Sequence, residues 1–269
     1  MGNIGFIDTE RAVLAMVGAD VRDVLQNTVT NDVDALSPDQ PVYAALLTPQ
    51  GKYLFDFFLL DGPALGWPEG SVLIDVALDR AVALAQRLKM YCLRRDAAVD
   101  VARELSVGLV WGGDAPGLPG TMRDPRDGAL GWRIYGSEAL PETVHPADRA
   151  DYDALRVEHL VPHSGVELVP DDTFILEAGF ERLHGVDFRK GCYVGQEVTA
   201  RMKHKATLRK GLVRVAVSGD AEPGTPIKAD GKPAGVLFTT AGDTGLAHLR
   251  LDRAGEGMEA GSARVDYTA

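Results

Sequence analysis

After about residue 206 the chain changes texture, and this change limits its architecture more than any other feature. Short β-rich runs at 211–217, 225–229, 234–240, 244–249 and 263–267 follow one another, broken by turns such as Asp230-Gly231. Five short strands in so short a stretch predict a small all-β module, and closing them into a barrel removes their open edges. So few residues bury little surface, so the module is expected to pack on the larger part of the chain.

The residues before it mix strands and helices. Val42–Thr48 and Tyr53–Leu60 flank Pro49-Gln50-Gly51-Lys52, a hairpin signal. Ser71–Val76 reads as another strand. Asp79 is placed to cap a helix over Arg80–Tyr91 with Val82, Ala85 and Leu88 on one apolar face, and Asp20 to cap a short helix through Val21, Val24 and Leu25. Strand character at 103–111 and 129–135 is separated by a punctuated stretch, Gly112 to Gly131, with six glycines and three prolines. That stretch predicts a loop or subdomain junction. Asp151–Leu160 and Phe174–Leu183 read as helices.

Composition excludes several function classes. The formal charge is −11, from 28 Lys and Arg against 39 Asp and Glu, which disfavours non-specific binding to phosphates; direct RNA binding is doubtful. Two cysteines, Cys92 and Cys192, cannot form a disulfide framework or supply four thiolates to zinc or an iron–sulfur cluster. His159, His163 and His184 lack HExxH spacing, and no tightly bound metal is expected. GxGxxG, Walker A and GxSxG patterns are absent. No run approaches membrane-spanning length, and the start, MGNIGFIDTERAV, reads as neither secretory signal nor transit peptide. A cytoplasmic setting is the expectation.

One segment stands apart. Residues 187–205 read DFRKGCYVGQEVTARMKHK, and from Arg189 to Lys210 seven Lys or Arg residues face one Glu. Arg189 and Lys190 favour a thiolate at Cys192, which Glu197 opposes if it is close. The residues alone leave a second reading open: a buried structural cysteine, a solvated basic face, and core roles for Tyr193 and Met202.

LEAGFERLHGVDFRKGCYVGQEVTARMKHK, residues 176–205, resembles the signature of the YgfZ and IBA57 family, folate-binding proteins associated with iron–sulfur cluster assembly or repair. The motif is Lys190-Gly191-Cys192-Tyr193 followed by Gly195-Gln196-Glu197. VGADVRDVLQNTVTNDV at 17–33, LLTPQGKYLFDFFL at 46–59 and LKMYCLRRDA at 88–97 extend the resemblance along nearly the whole chain. The family is similar to the glycine cleavage T-protein, a tetrahydrofolate-dependent aminomethyltransferase. The fold implied is α+β: two interlocked subdomains (1–205) around a central folate cavity, with a C-terminal β-barrel (206–269).

The resemblance also implies a ligand set. It makes Glu177 a partner for the pterin of tetrahydrofolate or a related reduced folate, because a carboxylate can accept two adjacent N–H groups. Arg94, Arg95, Arg201 and Lys203 are candidates for the tail, although Arg201 can pair instead with Glu197 if the segment is helical. Asn27 and Thr28, with Thr30 and Asp32, either line the cavity or cap the short helix, and part of this segment is expected to line it. Cys192 is the candidate functional thiol, with Gly191 and Gly195 relieving crowding on either side of it, and Cys92 a packed helix end. The transferase has adjacent aspartates where this chain has Phe55-Asp56, which puts aminomethyl transfer in doubt. The implied role is support of iron–sulfur assembly or client proteins by a monomer, with any effect on transfer RNA modification indirect. A one-carbon transferase and a folate-binding adaptor without a reactive cysteine are the alternatives.

Overall fold

A computed structural model describes residues 2–136, 140–204 and 208–268. In chain order the elements are β1 (Ile4–Ile7), β2 (Arg11–Val17), α1 (Val21–Gln26), β3 (Val42–Leu47), β4 (Tyr53–Asp61), β5 (Val72–Ala77), α2 (Leu78–Tyr91), β6 (Ala98–Val101), β7 (Val107–Trp111), β8 (Thr121–Arg123), β9 (Trp132–Tyr135), β10 (His145–Pro146), α3 (Arg149–Glu158) and α4 (Gln196–Lys203). The last strands are β11 (Lys210–Ser218), β12 (Thr225–Ala229), β13 (Lys232–Ala241), β14 (Thr244–Arg250), β15 (Met258–Ala260) and β16 (Ala263–Asp266).

They build two five-stranded sheets, β3-β4-β5-β2-β6 and β10-β1-β7-β9-β8, and a closed barrel, β11-β14-β13-β12-β15-β16. The predicted hairpin is β3–β4, paired from Val42 opposite Leu59 to Leu47 opposite Tyr53. The barrel has a sixth strand that the sequence reading lacks, Met258–Ala260, too short to show a period of its own. The expected boundary between residues 205 and 206 lies outside the described residues.

The first sheet is covered on both faces over its central strands, so β3, β4 and β5 are buried almost end to end and do not alternate between buried and exposed. The period of two instead sorts side chains between two cores. Leu14, Met16, Ala44, Leu46, Phe55 and Phe57 pack with Val21, Val24 and Leu25 of α1 and Ala81, Leu84 and Leu88 of α2. Val13, Ala15, Tyr43, Ala45, Phe58 and Leu73 face the other way, toward Leu109, Trp111, Tyr152, Phe180 and Tyr193. This second core joins the two sheets to the segment before α4.

That inner face also holds charge. Asp75 and Asp124 are buried; Arg11 and Arg133 both bond Asp75, at 2.6 Å, and Arg126 bonds Asp124 at 2.8 Å. Burial pushes each carboxyl up, but the guanidiniums outweigh it and hold both below the usual carboxylate range.

Three local expectations are corrected. The buried face of α2 is Ala81, Leu84 and Leu88, while Val82 is exposed; the helix begins at Leu78, so Asp79 lies within its first turn and does not cap it. The Asp20 side chain makes no cap bond to α1 and accepts instead from the Asp96 N–H. Phe174 bridges to Lys52, and residues 175–184 form consecutive turns, not an α-helix. Gly179 and His184 have φ of +81° and +54°, and the hydrogen bonds shift register: Gly179 donates to Leu176, but Phe180 to Ile175.

The barrel docks as its size requires. Val157 of α3 packs with Leu212, Phe238 and Leu246 of the barrel. The Leu212 N–H donates to the Glu177 carbonyl at 2.7 Å. Glu167, also buried, accepts from the N–H and hydroxyl of Thr239.

Candidate functional site

The Cys192 loop is fixed from both ends. On its N-terminal side Asp187 accepts from the N–H groups of Arg189 and Lys190, making a tight turn. The Lys190 chain then runs inward. Its Nζ donates to the carbonyls of Val29 at 2.7 Å and Asn31 at 2.8 Å. Burial pulls the Lys190 ammonium down to about 8, against the pull of Asp32, Asp187 and Asp34. Lys190 is therefore an anchor to the 17–33 segment, and its charge is committed there.

Beyond the cysteine, Tyr193 is buried under the Lys190 ammonium, 5.4 Å from its ring centre, and burial pushes its phenol up to about 12. Gly195 has φ +84° and starts α4 against the β3–β4 turn. A Cβ there would lie 2.6 Å from the Thr48 carbonyl oxygen. Cys192 itself is exposed, whereas Cys92 is buried at the end of α2 and burial raises its thiol. Gly191 has open space around its Cα, so it does not relieve crowding at Cys192. The Gln196 amide reaches the Gly191 carbonyl at 3.5 Å.

The remaining predicted residues separate. Arg201 pairs with Glu197 at 3.0 Å on exposed α4, as helical spacing allows. Lys203 pairs with Glu181. Asn27 closes α1 by donating to the Asp23 carbonyl, and the buried Thr28 hydroxyl bonds the Val24 carbonyl. Arg94 is exposed after α2 with φ +66°. None of these residues is brought to Glu177.

Glu177 lines a cavity of about 530 Å³ between the α+β part and the barrel. Lys52, Phe174 and Glu177 stand on one side, and Lys210, Phe238, His248, Arg250 and Arg253 on the other. Glu177 Oε2 meets His248 Nε2 at 3.2 Å, and Oε1 has no partner among the described residues. A carboxylate oxygen that can accept from a planar N–H edge, two phenylalanine side chains and several cations line the same cavity, a set that suits the edge and the anionic tail of a folate. His248, Arg250 and Arg253 lie about 70 residues beyond Glu177 in the sequence, and only the topology brings them to it.

Phe55 and Asp56 point to opposite faces of β4. Phe55 packs in the helix-side core under Arg80. Asp56 is buried and accepts from the hydroxyls of Tyr43, Tyr53 and Ser164. Burial, then Asp56, raise both phenols well above their usual range, so both remain protonated donors. Among the described residues no group of three or more His, Cys, Asp or Glu side chains is arranged to hold a metal, and no helix is long and apolar enough to cross a membrane.

The two sheets and closed barrel define a protein of the aminomethyltransferase fold. The crystal structure of glycine cleavage aminomethyltransferase T from Bartonella henselae superposes with a TM-score of 0.77 over 98% of this chain and 84% of that one, at 17% identity. Residues 209–269 match the family model of the CAF17 C-terminal beta-barrel domain. The iron–sulfur cluster assembly factor IBA57, mitochondrial, of Mus musculus is 31% identical across 90% of this chain and 76% of its own length. Its Homo sapiens counterpart is 31% identical across 89% and 75%. The chain belongs to the IBA57 family, whose named members are iron–sulfur cluster assembly factors. The expectation of a cytoplasmic setting is overturned by the same relatives, which are named as mitochondrial.

Proposed function

We propose that this chain supports iron–sulfur cluster assembly or repair in partner and client proteins through Cys192. The observation that carries the reading is an exposed thiol on a loop anchored by Lys190 on one side and Gly195 on the other. An anchored thiol loses little freedom when it meets a partner. The step is ligand exchange: the Cys192 sulfur replaces a small-molecule or partner thiolate on an iron, and the proton it gives up goes to the thiolate that leaves, with no change of oxidation state. One thiol cannot hold a cluster, so the other ligands come from a partner or a small-molecule thiol. The chain acts as a monomer, and effects on transfer RNA modification follow indirectly, through the iron–sulfur enzymes that perform it.

Paired substitution tests this. Cys192→Ala keeps folding and impairs recovery of a client iron–sulfur enzyme; Cys92→Ala has the smaller effect on recovery. If Cys192→Ala lowers stability sharply and leaves recovery intact at equal protein abundance, the cysteine is structural.

The second element is a reduced folate in the Glu177 cavity, supported by the free Oε1 and the surrounding cations. Glu177→Gln weakens tetrahydrofolate binding by about 1.5–3 kcal/mol, the usual worth of a hydrogen bond to a charged group. Absence of binding under anaerobic, reducing conditions rejects this element and leaves the thiol role standing. Aminomethyl transfer is disfavoured because Phe55 packs in the helix-side core and Asp56 already accepts from three hydroxyls.

A further inference from the structure

The segment LKMYCLRRDA, residues 88–97, has no part in the site above. It belongs to an outer face, that of α2 and the turn after it, which is apolar where it meets solvent. Among the described residues six large apolar side chains are exposed, and four of them are here: Leu78, Val82, Met90 and Leu93, at 54–74%. The three on the helix follow steps of four residues, with Gln86 as the one polar break, so they form a stripe about 18 Å long. Leu93 prolongs it past the helix end. Single exposed apolar side chains are ordinary, but a stripe of them marks a contact surface.

Cations fringe the stripe. From Arg80 to Arg95 the chain has five Arg and Lys residues and no acid, in a protein of formal charge −11. Arg80 is committed to the Leu54 carbonyl and the Phe55 ring. Arg87, Lys89, Arg94 and Arg95 are exposed and have no side-chain partner among the described residues. The acids that follow, Asp96 and Asp100, accept from the N–H groups of Ala19 and Val101 and pair with none of these cations. Arg94 also stands at φ +66° in a turn closed by the Arg95 N–H on the Cys92 carbonyl at 2.9 Å, a place that favours glycine. Its side chain makes no bond among the described residues that offsets this strain.

We infer that this face of α2 docks an acidic amphipathic helix of a partner protein. The apolar side of that helix covers Leu78, Val82, Met90 and Leu93, and its Asp and Glu residues meet Arg87, Lys89, Arg94 and Arg95. Charge separates this occupant from two others. A second copy of the chain brings from its own α2 only Asp79 to answer four cations. An anionic membrane spreads beyond the stripe and meets the excess acids of a chain at −11. The surface also lies apart from the thiol: α2 packs on β2, β5 and β6, whereas Gly195 sets the Cys192 loop against the β3–β4 turn at the other end of the sheet. The inference therefore rests on neither the thiol reading nor the folate reading.

Fluorescence anisotropy on the full chain uses a labelled synthetic helix of about four turns, with leucines on one face and glutamates beside them. Its controls are the same residues scrambled and the same pattern with lysine for glutamate. The acidic amphipathic peptide is expected to bind about tenfold more tightly than either at low salt, and its lead over the lysine peptide narrows at about 0.5 M salt. Met90→Ser with Leu93→Ser, and Arg87→Gln with Arg94→Gln, each weaken it about tenfold, and Lys228→Ala on the barrel does not. Thermal melts show whether each variant is folded. If a double variant does not fold, Arg94→Gly alone serves: it relieves the turn, so binding weakens while the melting temperature holds or rises. Equal binding of patterned and scrambled peptides, or full binding by the folded variants, overturns the inference. Sedimentation with phosphatidylglycerol vesicles in place of peptide binding also overturns it and makes the face a membrane contact. A parent dimer that Met90→Ser with Leu93→Ser dissolves overturns it in favour of a second copy.

Discussion

Gly195 and Gly51 meet across the junction between the Cys192 loop and the first sheet: a Cβ on Gly195 would lie 3.2 Å from the Gly51 Cα. Both have positive φ, +84° and +75°. The same added atom would lie closer still to the Thr48 oxygen, which is backbone and cannot swing aside. Two segments more than a hundred residues apart therefore fit together because neither carries a side chain at the point of contact. This contact fixes where α4 starts and hence where the loop before it lies.

Gly195→Ala is expected to cost about 1–3 kcal/mol, from left-handed backbone strain together with the clash. Gly191→Ala, in open space and without a positive φ, stays within about 0.5 kcal/mol of the parent. Urea unfolding midpoints of the two variants measure the difference. Equal midpoints refute the packing role of Gly195.

Lys190 anchors the other side. Lys190→Met keeps the apolar stem but leaves one buried and one part-buried carbonyl without their charged donor, at a cost of about 1–3 kcal/mol. Because burial lowers the Lys190 ammonium to about 8, the unfolded chain holds more protons than the folded one between about pH 8 and 10.4. The parent therefore gains stability from this group as pH rises through that window, and Lys190→Met loses that gain. Unfolding free energies at pH 7.5 and 10 for both proteins decide it.

The sequence reveals these anchors unevenly. The β3–β4 hairpin and five barrel strands are legible because runs of β-rich residues end in Gly, Pro or Asp-Gly turns, which are local signals. The segment 174–184 is not, because its apolar spacing mimics a helix while Gly179 turns the backbone left-handed. Residues 187–205 stand out by charge and by the cysteine, yet what Lys190 does depends on carbonyls about 160 residues away in sequence. The buried ion network is half visible. Asp75 within VLIDVA and Arg133 within WRIY are charges inside strands, which demand partners. Which partners they find is settled by the facing of two sheets, not by any local pattern.

That network sets the acid limit of the fold. Asp75 and Asp124 ionise below the usual carboxylate range in the folded chain. Their contribution is fully present above about pH 4–5 and is lost as pH falls through the lowered folded values. Asp75→Asn leaves Arg11 and Arg133 without their shared carboxylate and is expected to cost about 3–5 kcal/mol at pH 7. Its stability also falls less steeply than the parent's in acid. Chemical denaturation from pH 7 to 3 tests both, and parallel profiles for parent and variant reject the assignment.

The two thiols give the most direct check on the loop. Cys192 is exposed, while Cys92 is buried and that burial raises its thiol, so Cys92 is both harder to reach and held in its unreactive thiol form. A disulfide reagent at neutral pH is expected to modify one thiol per chain quickly, and the second only as the chain opens. Cys192→Ser removes the fast phase and leaves the slow one; Cys92→Ser does the reverse. Denaturant brings the slow thiol up to the rate of the fast one. Lys190→Met, by freeing the loop, changes the rate at Cys192 and not at Cys92. Two thiols reacting at one rate in the native parent mean that Cys192 is not held out as described, and the presentation of this thiol to a partner's cluster falls with it.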